Sequence, residues 1–247
     1  MTAQTPTAGI LLIGNELLSG KTQDSNLRFL GGELARVGIR LVEARVIRDD
    51  HETIGQVARE FSERFTYVFT TGGIGPTHDD ITSEAIARAF GSELELNDQA
   101  ARMMTASGRE MNAARLKMAM IPKGASLIEN SISSAPGFRL GNVFVLAGVP
   151  KIAEVMFFAL EDQLEGADQI LSQSVDAFAP EGDIAQPLEQ IANRYRTVEI
   201  GSYPFNRNGR FGANLVVRGT DQDAVKAAIA EIAETIGALG IEVDRKA

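Results

Sequence analysis

The run Thr70-Thr71-Gly72-Gly73-Ile74-Gly75-Pro76-Thr77-His78-Asp79-Asp80-Ile81-Thr82 places three glycines between an apolar stretch and the start of a helical pattern. Glycine lets the main chain approach an anion and take positive φ at no steric cost. A helix opening at Thr82 adds partial positive charge, worth ~0.3–1 kcal/mol to a bound anion. Such a run suits phosphate, cradled by the backbone N–H groups of Gly72, Gly73 and Gly75, with Thr77 and Thr82 beside them. A tight turn with capping Asp and Thr would use the same residues. The string has neither the Gly-Lys-Ser/Thr ending of a P-loop nor a dinucleotide fingerprint.

Carboxylates surround this run in the sequence. Asp79 and Asp80 lie within it, Asp49 and Asp50 follow an earlier apolar stretch, and Asp24 precedes a helical pattern. Capping of a helix N-terminus is the commoner role for any one of them. As a set they would repel a phosphate unless a cation intervenes. A divalent ion bridging carboxylate and phosphate, with water completing its shell, resolves the conflict. The whole set, Asp24, Asp49, Asp50, Asp79 and Asp80, is therefore expected to serve such an ion at one sheet edge. Mg, Mn and Co are equally open. Asn15 and Glu16 directly follow the first apolar run, where Glu16 suits a ligand-side acid or base. His78 reads as an ordinary loop residue; Arg115 and Lys117 could meet phosphates, with a solvated face the default for basic residues.

These residues need strands and helices to hold them. Gly9 to Ile13, Ile39 to Ile47 and Tyr67 to Thr71 read as strands. Leu27, Leu30, Leu34 and Val37, then Ile54, Val57, Ala58, Phe61 and Phe65, recur at helical spacing between them. Strand–helix repeats with short links predict a parallel sheet with helices on both faces, its strand-to-helix loops gathered at one edge. A helical stretch is expected from Asn97 to about Ala114, followed by Met118 to Pro122 and a strand near Ser126 to Ile128. Phe138–Leu140 and Val143–Leu146 flank Gly141-Asn142, a hairpin signal that makes the sheet mixed. A linker at residues 165–168 precedes a different grammar. Strands at Ile170–Phe178, Thr197–Tyr203, Phe211–Arg218 and Ile241–Val243 alternate with helices at Ile184–Tyr195 and Ala224–Leu239, a small α+β domain. The expected domains are 1–167 and 168–247.

Composition narrows the function classes. The 247 residues contain no cysteine and two histidines, so disulfides, thiol nucleophiles and cysteine or histidine-rich metal sites are excluded. No apolar run reaches the ~20 residues of a membrane span, and the first eight residues lack the pattern of a secretory signal. A cytoplasmic protein without membrane partners is expected. A net charge of −9 argues against a nucleic-acid partner, including one held by Arg207 and Arg210 near Gly209. It does not argue against a small anionic ligand.

Gly14-Asn15-Glu16-Leu17-Leu18-Ser19-Gly20, Asp24-Ser25-Asn26 and the Gly-rich run together resemble the molybdopterin-binding (MoaB/MogA-like) domain, in the form found at the N-terminus of competence/damage-inducible protein A (CinA). Asn130, Ala135-Pro136-Gly137 and Gly148-Val149-Pro150 are similar to its later landmarks. The resemblance covers about Ala8 to Glu165. It implies a three-layer α/β/α fold with a mostly parallel sheet and a pocket for a nucleotide or molybdopterin. It also implies activity tied to Asp49 and Asp80 as the catalytic carboxylates, so that Asp49, Asp79 and Asp80 are the expected metal ligands with Asp24 as an assistant, and Asn15, Glu16 and Asn26 belong to the substrate-binding set. The segment around Gly201-Ser202-Tyr203-Pro204-Phe205 resembles the KH-type dimerisation segment of CinA-like proteins, which implies a homodimer. The expected function is divalent-metal-dependent pyrophosphatase action on ADP-ribose or FAD-like substrates. Adenylylation of molybdopterin and non-catalytic binding of a pterin or nucleotide are the alternatives.

Overall fold

The apolar run after Thr7 becomes a strand, β1 (Thr7–Ile13), buried from Ala8 onward. It is the inner strand of the sheet that positions the Gly-rich run. The computed structural model describes residues 5–106, 111–207 and 209–245. The chain divides into two units, Met1–Ala167 and Asp168–Ala247.

In the first unit β1 is followed by α1 (Asn15–Leu18), α2 (Asn26–Arg36), β2 (Arg40–Ile47), α3 (His51–Arg64), β3 (Tyr67–Thr71) and α4 (Thr82–Ala89). Then come β4 (Leu94–Leu96), α5 (Asp98–Ala106), α6 (Ala113–Met118), β5 (Met120–Pro122), β6 (Ser126–Ile128), β7 (Gly137–Leu140), β8 (Val143–Leu146) and α7 (Pro150–Leu160). Six strands form one sheet in the order β2-β1-β3-β8-β7-β6. The pairs β1–β2, β1–β3 and β3–β8 are parallel, and β7–β8 and β6–β7 antiparallel.

Alternation along the central strands separates two cores, as the period-2 geometry of a strand requires. Leu11, Ile13 and Val68 face one way, onto Ile54 and Phe61 of α3 and Ile86 of α4. Ile10, Leu12 and Phe69 face the other, onto Leu30 and Leu34 of α2 and Phe157 of α7. A sheet apolar on both faces has to be covered on both, which gives three layers. The helix α3 forms because Ile54, Ala58 and Phe61 share one face and Asp50 caps its start, accepting from Thr53 N at 2.8 Å. At the end of α2, Gly38 takes φ 72°, and a Cβ there would lie 2.1 Å from the Ala167 carbonyl oxygen.

Three expectations need correction here. The helix read from Asn97 to Ala114 is two helices, α5 and α6, the second capped by Asn112, which accepts from Arg115 N at 3.0 Å. Residues 107–110 between them lie outside the described residues. The strand β4, which pairs with β5, and the single turn α1 also form where no element was expected, because three- and four-residue elements carry too few positions for a period to register.

The second unit holds β9 (Leu171–Ala177), α8 (Glu181–Arg194), β10 (Glu199–Arg207), β11 (Arg210–Gly219), α9 (Gln222–Ala238) and β12 (Val243–Arg245). The sheet order is β10-β11-β9-β12, antiparallel throughout. This is the split βαβ arrangement, packed on Ile184, Ile191 and Ile232 of the two helices. The small α+β expectation is met in these elements. Among the described residues no helix is long and apolar enough to cross a membrane.

Candidate active site

The strand order carries the chain from β1 outward to β2 and then back past β1 to β3. In parallel sheets such a reversal leaves a crevice beyond the carboxyl ends of the two strands, where ligands bind. Here Gly14 follows β1 and Gly72 follows β3, and a cavity of about 570 Å³ opens beside both.

The Gly-rich run forms one wall. Gly72 takes φ 106° because it abuts the end of β1: a Cβ there would meet the Ile13 carbonyl oxygen at 2.1 Å. Gly73, at φ 70°, leaves room for the Thr82 side chain, whose Oγ1 would lie 2.1 Å from a Cβ. The Thr82 hydroxyl donates to Gly72 O and its N–H to Gly73 O, both at 2.9 Å. Further along, Asp80 Oδ2 accepts from Thr77 N at 2.8 Å and also from the Thr77 hydroxyl. Gly75 has to be small because a Cβ there would lie 2.6 Å from that same oxygen. The loop is thus folded from within by Asp80 and Thr82 before any ligand arrives.

Carboxylates supply the charge. Glu16, Asp49, Asp79 and Asp80 line the cavity, and no lysine or arginine does. Asp49 Oδ2 accepts from Asn15 N at 2.8 Å, tying the end of β2 to that of β1. Neither Asp49 Oδ1 nor Asp80 Oδ1 has a hydrogen-bond partner among the described residues, so each carboxylate keeps one oxygen for a ligand. Asp79 is held below the usual carboxylate range, chiefly by the Thr77 hydroxyl and then by a backbone N–H, with His78 and Lys117 adding to the effect. It stays ionised at neutral pH. Among the described residues no three acidic or histidine side chains gather closely enough to hold a metal by themselves. Asp49, Asp79 and Asp80 therefore share a cavity without forming the cluster expected of them. A donor set of this kind fits a hard cation that arrives with phosphate oxygens and water, as Mg²⁺ does.

The opposite wall is Asn130, Ser133, Ala135 and the Gly148-Val149-Pro150 turn. Asn130 is buried and organises its loop: its Oδ1 accepts from Ile132 N and Ser133 N, and its Nδ2 donates to Ala135 O at 2.9 Å. Ser134 beside it has φ 62°, the one non-glycine residue with positive φ among those described. Ile74, Pro76, Met118 and Ile152 make much of the remaining lining apolar.

Of the residues expected at the site, Glu16, Asp49, Gly72, Gly73, Gly75, Thr77, Asp79 and Asp80 line the cavity together. Three others act as braces. Thr82 is buried and bonded to the loop carbonyls. Asn26 is buried, and its amide donates to Gly148 O at 2.8 Å, holding the turn of the opposite wall. Asn15 contributes its main-chain N–H to Asp49. Asp24 lies just before α2 and accepts from Leu27 N at 2.8 Å, bracing the start of that helix. His78 is fully exposed and does not line the cavity. Thr22 and Ser133 line it without having been singled out, since a lone hydroxyl in a loop carries no spacing signal.

A family model described as a probable molybdopterin binding domain matches residues 9–165. One described as the middle domain of FAD synthase matches residues 169–244. A probable FAD synthase of Caenorhabditis elegans is 33% identical over 261 residues, covering 94% of this chain and 50% of its own. The chain spans about half the length of the first curated relatives it matches, 50% and 48%. A protein of Archaeoglobus fulgidus, 32% identical over 228 residues, is matched over 96% of its length and 92% of this chain. Among solved structures, one described as the protein CinA with unknown function from Thermoplasma acidophilum is similar at a TM-score of 0.61 and 35% identity, covering 64% of this chain and 98% of its own.

Proposed function

Because the chain belongs to the probable molybdopterin binding domain family over residues 9–165, we propose that it is an enzyme of CinA-like kind that hydrolyses the pyrophosphate bond of a dinucleotide-like substrate such as ADP-ribose or FAD, with a divalent cation. The observation that carries this reading is the convergence, in one cavity, of a preformed glycine loop with two carboxylates that each keep an oxygen uncommitted. The FAD synthase names of relatives that match most of this chain support a nucleotide ligand.

In this reading the backbone N–H groups of Gly72, Gly73 and Gly75 hold a phosphate, and the apolar wall of Ile74, Pro76 and Met118 takes the base. Asp49 and Asp80 would hold the cation, with Asp79 near them. The cation supplies neutralisation of phosphate charge. Asp80 is already fixed by Thr77, so it meets the ligand without reorganising. Water forms the new P–O bond, the bridging P–O bond breaks, and the water proton leaves through a carboxylate of the site to solvent. A homodimer through residues 168–247 belongs to the same reading, and light scattering that returns a monomer removes it.

The test is incubation of the purified protein with ADP-ribose, FAD and ATP, with and without Mg²⁺, Mn²⁺ or Co²⁺, following nucleotide products by chromatography. Cation-dependent AMP formation is expected, reduced on the order of 10²-fold or more by Asp80→Asn with folding retained. No turnover by folded protein, with pterin or nucleotide still bound, would replace this reading with adenylylation of molybdopterin or with a binding module.

A further inference from the structure

We propose that Lys117, at the end of α6, is the cation that lets this acid-lined cavity accept a second phosphate, and so sets its preference for diphosphate over monophosphate ligands. The inference rests on the reading of the cavity as a nucleotide site. It starts from an imbalance: four carboxylates line the cavity and no basic side chain does. A glycine loop offers dipoles, enough for one phosphate, but a second adds charge that dipoles alone do not offset.

Lys117 is the basic residue that the fold brings to the loop. It is half-buried, and its ammonium donates to the Thr77 carbonyl oxygen, forty residues away in sequence. Its neighbour Met118 lines the cavity. The same ammonium is close enough to act on the Asp79 carboxylate. Thr77 is the residue that Asp80 grips through both N–H and hydroxyl, so Lys117 is joined to the part of the loop that carries the reactive acid. An ammonium has three donors and the Thr77 carbonyl uses one. The other two can turn to phosphate oxygens on a flexible stem without the loop contact being lost. A residue that served only to pin the loop would need neither charge nor a spare donor.

The experiment measures calorimetric binding of adenosine, AMP and ADP to wild type, Lys117→Met and Lys117→Arg, at two salt concentrations, with circular dichroism as the folding control. We expect Lys117→Met to weaken ADP roughly tenfold or more, AMP less, and adenosine hardly at all, with the salt dependence of ADP binding reduced. Lys117→Arg should restore most of the ADP affinity. Equal losses for all three ligands would mean a loop clamp only, and unchanged ADP binding would remove Lys117 from the site; either overturns the proposal. Wild type that binds none of the three overturns it together with the nucleotide reading. Charge-dependent ADP binding without hydrolysis leaves the proposal standing and removes only the pyrophosphatase reading.

Discussion

The two units each contain a carboxylate held by strong hydrogen bonds, and the two are held for opposite ends. In the second unit Asp176 is buried, and both its oxygens are taken: Asn214 Nδ2 donates to Oδ1 at 2.7 Å and the Arg207 guanidinium pairs with Oδ2. Arg207 in turn lies over the Phe205 ring, 4.1 Å from its centroid. In the first unit Asp80 and Asp49 have one oxygen fixed by the backbone and the other without a partner, at the wall of a cavity. A buried charge with every lone pair engaged locks strands together. A carboxylate aimed by one oxygen and open at the other is organised for something outside the chain. The acidic residues themselves do not tell these cases apart; the accounting of their oxygens does.

Breaking Asp176 should have the largest effect on stability. Asp176→Ala strands the Asn214 amide and leaves Arg207, which is half-exposed, to turn to solvent. The expected cost is about 2–3 kcal/mol in urea unfolding, with the proposed turnover per folded molecule unchanged. If activity fell while stability held, the contrast between the two carboxylates would be wrong. Gly75→Ala probes the other side. Its Cβ would press on Asp80 Oδ2 at 2.6 Å, so turnover should drop about tenfold with only a small change in melting temperature. An Asp80 that tolerates the methyl without loss of turnover is not fixed in the way described.

Smaller still is the effect at Ser134. Its φ of 62° is costly for a residue with a Cβ, by roughly 1 kcal/mol, part of which Gly returns as unfolded-state entropy. Ser134→Gly should therefore stabilise by about 0.5 kcal/mol in denaturant titration. A loss of turnover accompanying that gain would mark the strain as part of the site wall rather than a local accommodation.

Much of this was legible in the residues. The runs at Gly9–Ile13 and Tyr67–Thr71 are apolar on both faces, which forces the inner parallel strands, and Gly141-Asn142 forces the β7–β8 hairpin. Once β1 and β3 are adjacent, Glu16 and the glycine run have to meet at one edge, because both follow those strands directly. Which residue reaches the cavity and which supports it was not legible. Thr82 belongs to the same run as Gly73 and Asp80, and Asp24 and Asn26 to a motif beside it, yet their side chains turn to main-chain partners. That choice is made by tertiary distances, such as the 122 positions separating Asn26 from Gly148. Lys117 is the converse case: from sequence it could meet a phosphate no more specifically than Arg115 beside it, and the fold carries it to Thr77.

Asp50 offers the finest test, because it stands beside Asp49 in sequence and does different work. Its Oδ1 accepts from both Thr53 N and the Thr53 hydroxyl at 2.8 Å, so it caps α3, and it does not line the cavity. Those two bonds, the backbone one first, hold its carboxyl below the ordinary aspartate value of 3.8. The sign follows from linkage. A group whose folded value is depressed contributes stability that is present above its unfolded value and is lost as pH falls through the folded one. Asp50→Ala should thus lower the melting temperature at pH 7, with the gap to wild type closing below pH 4, while turnover per folded molecule stays the same. Asp49→Asn should do the reverse, abolishing most turnover with little change in the melting temperature at pH 7. If the two adjacent aspartates instead gave the same pattern, the separation of capping from chemistry at the end of β2 would collapse, and Asp49 would join Asp50 as part of the scaffold.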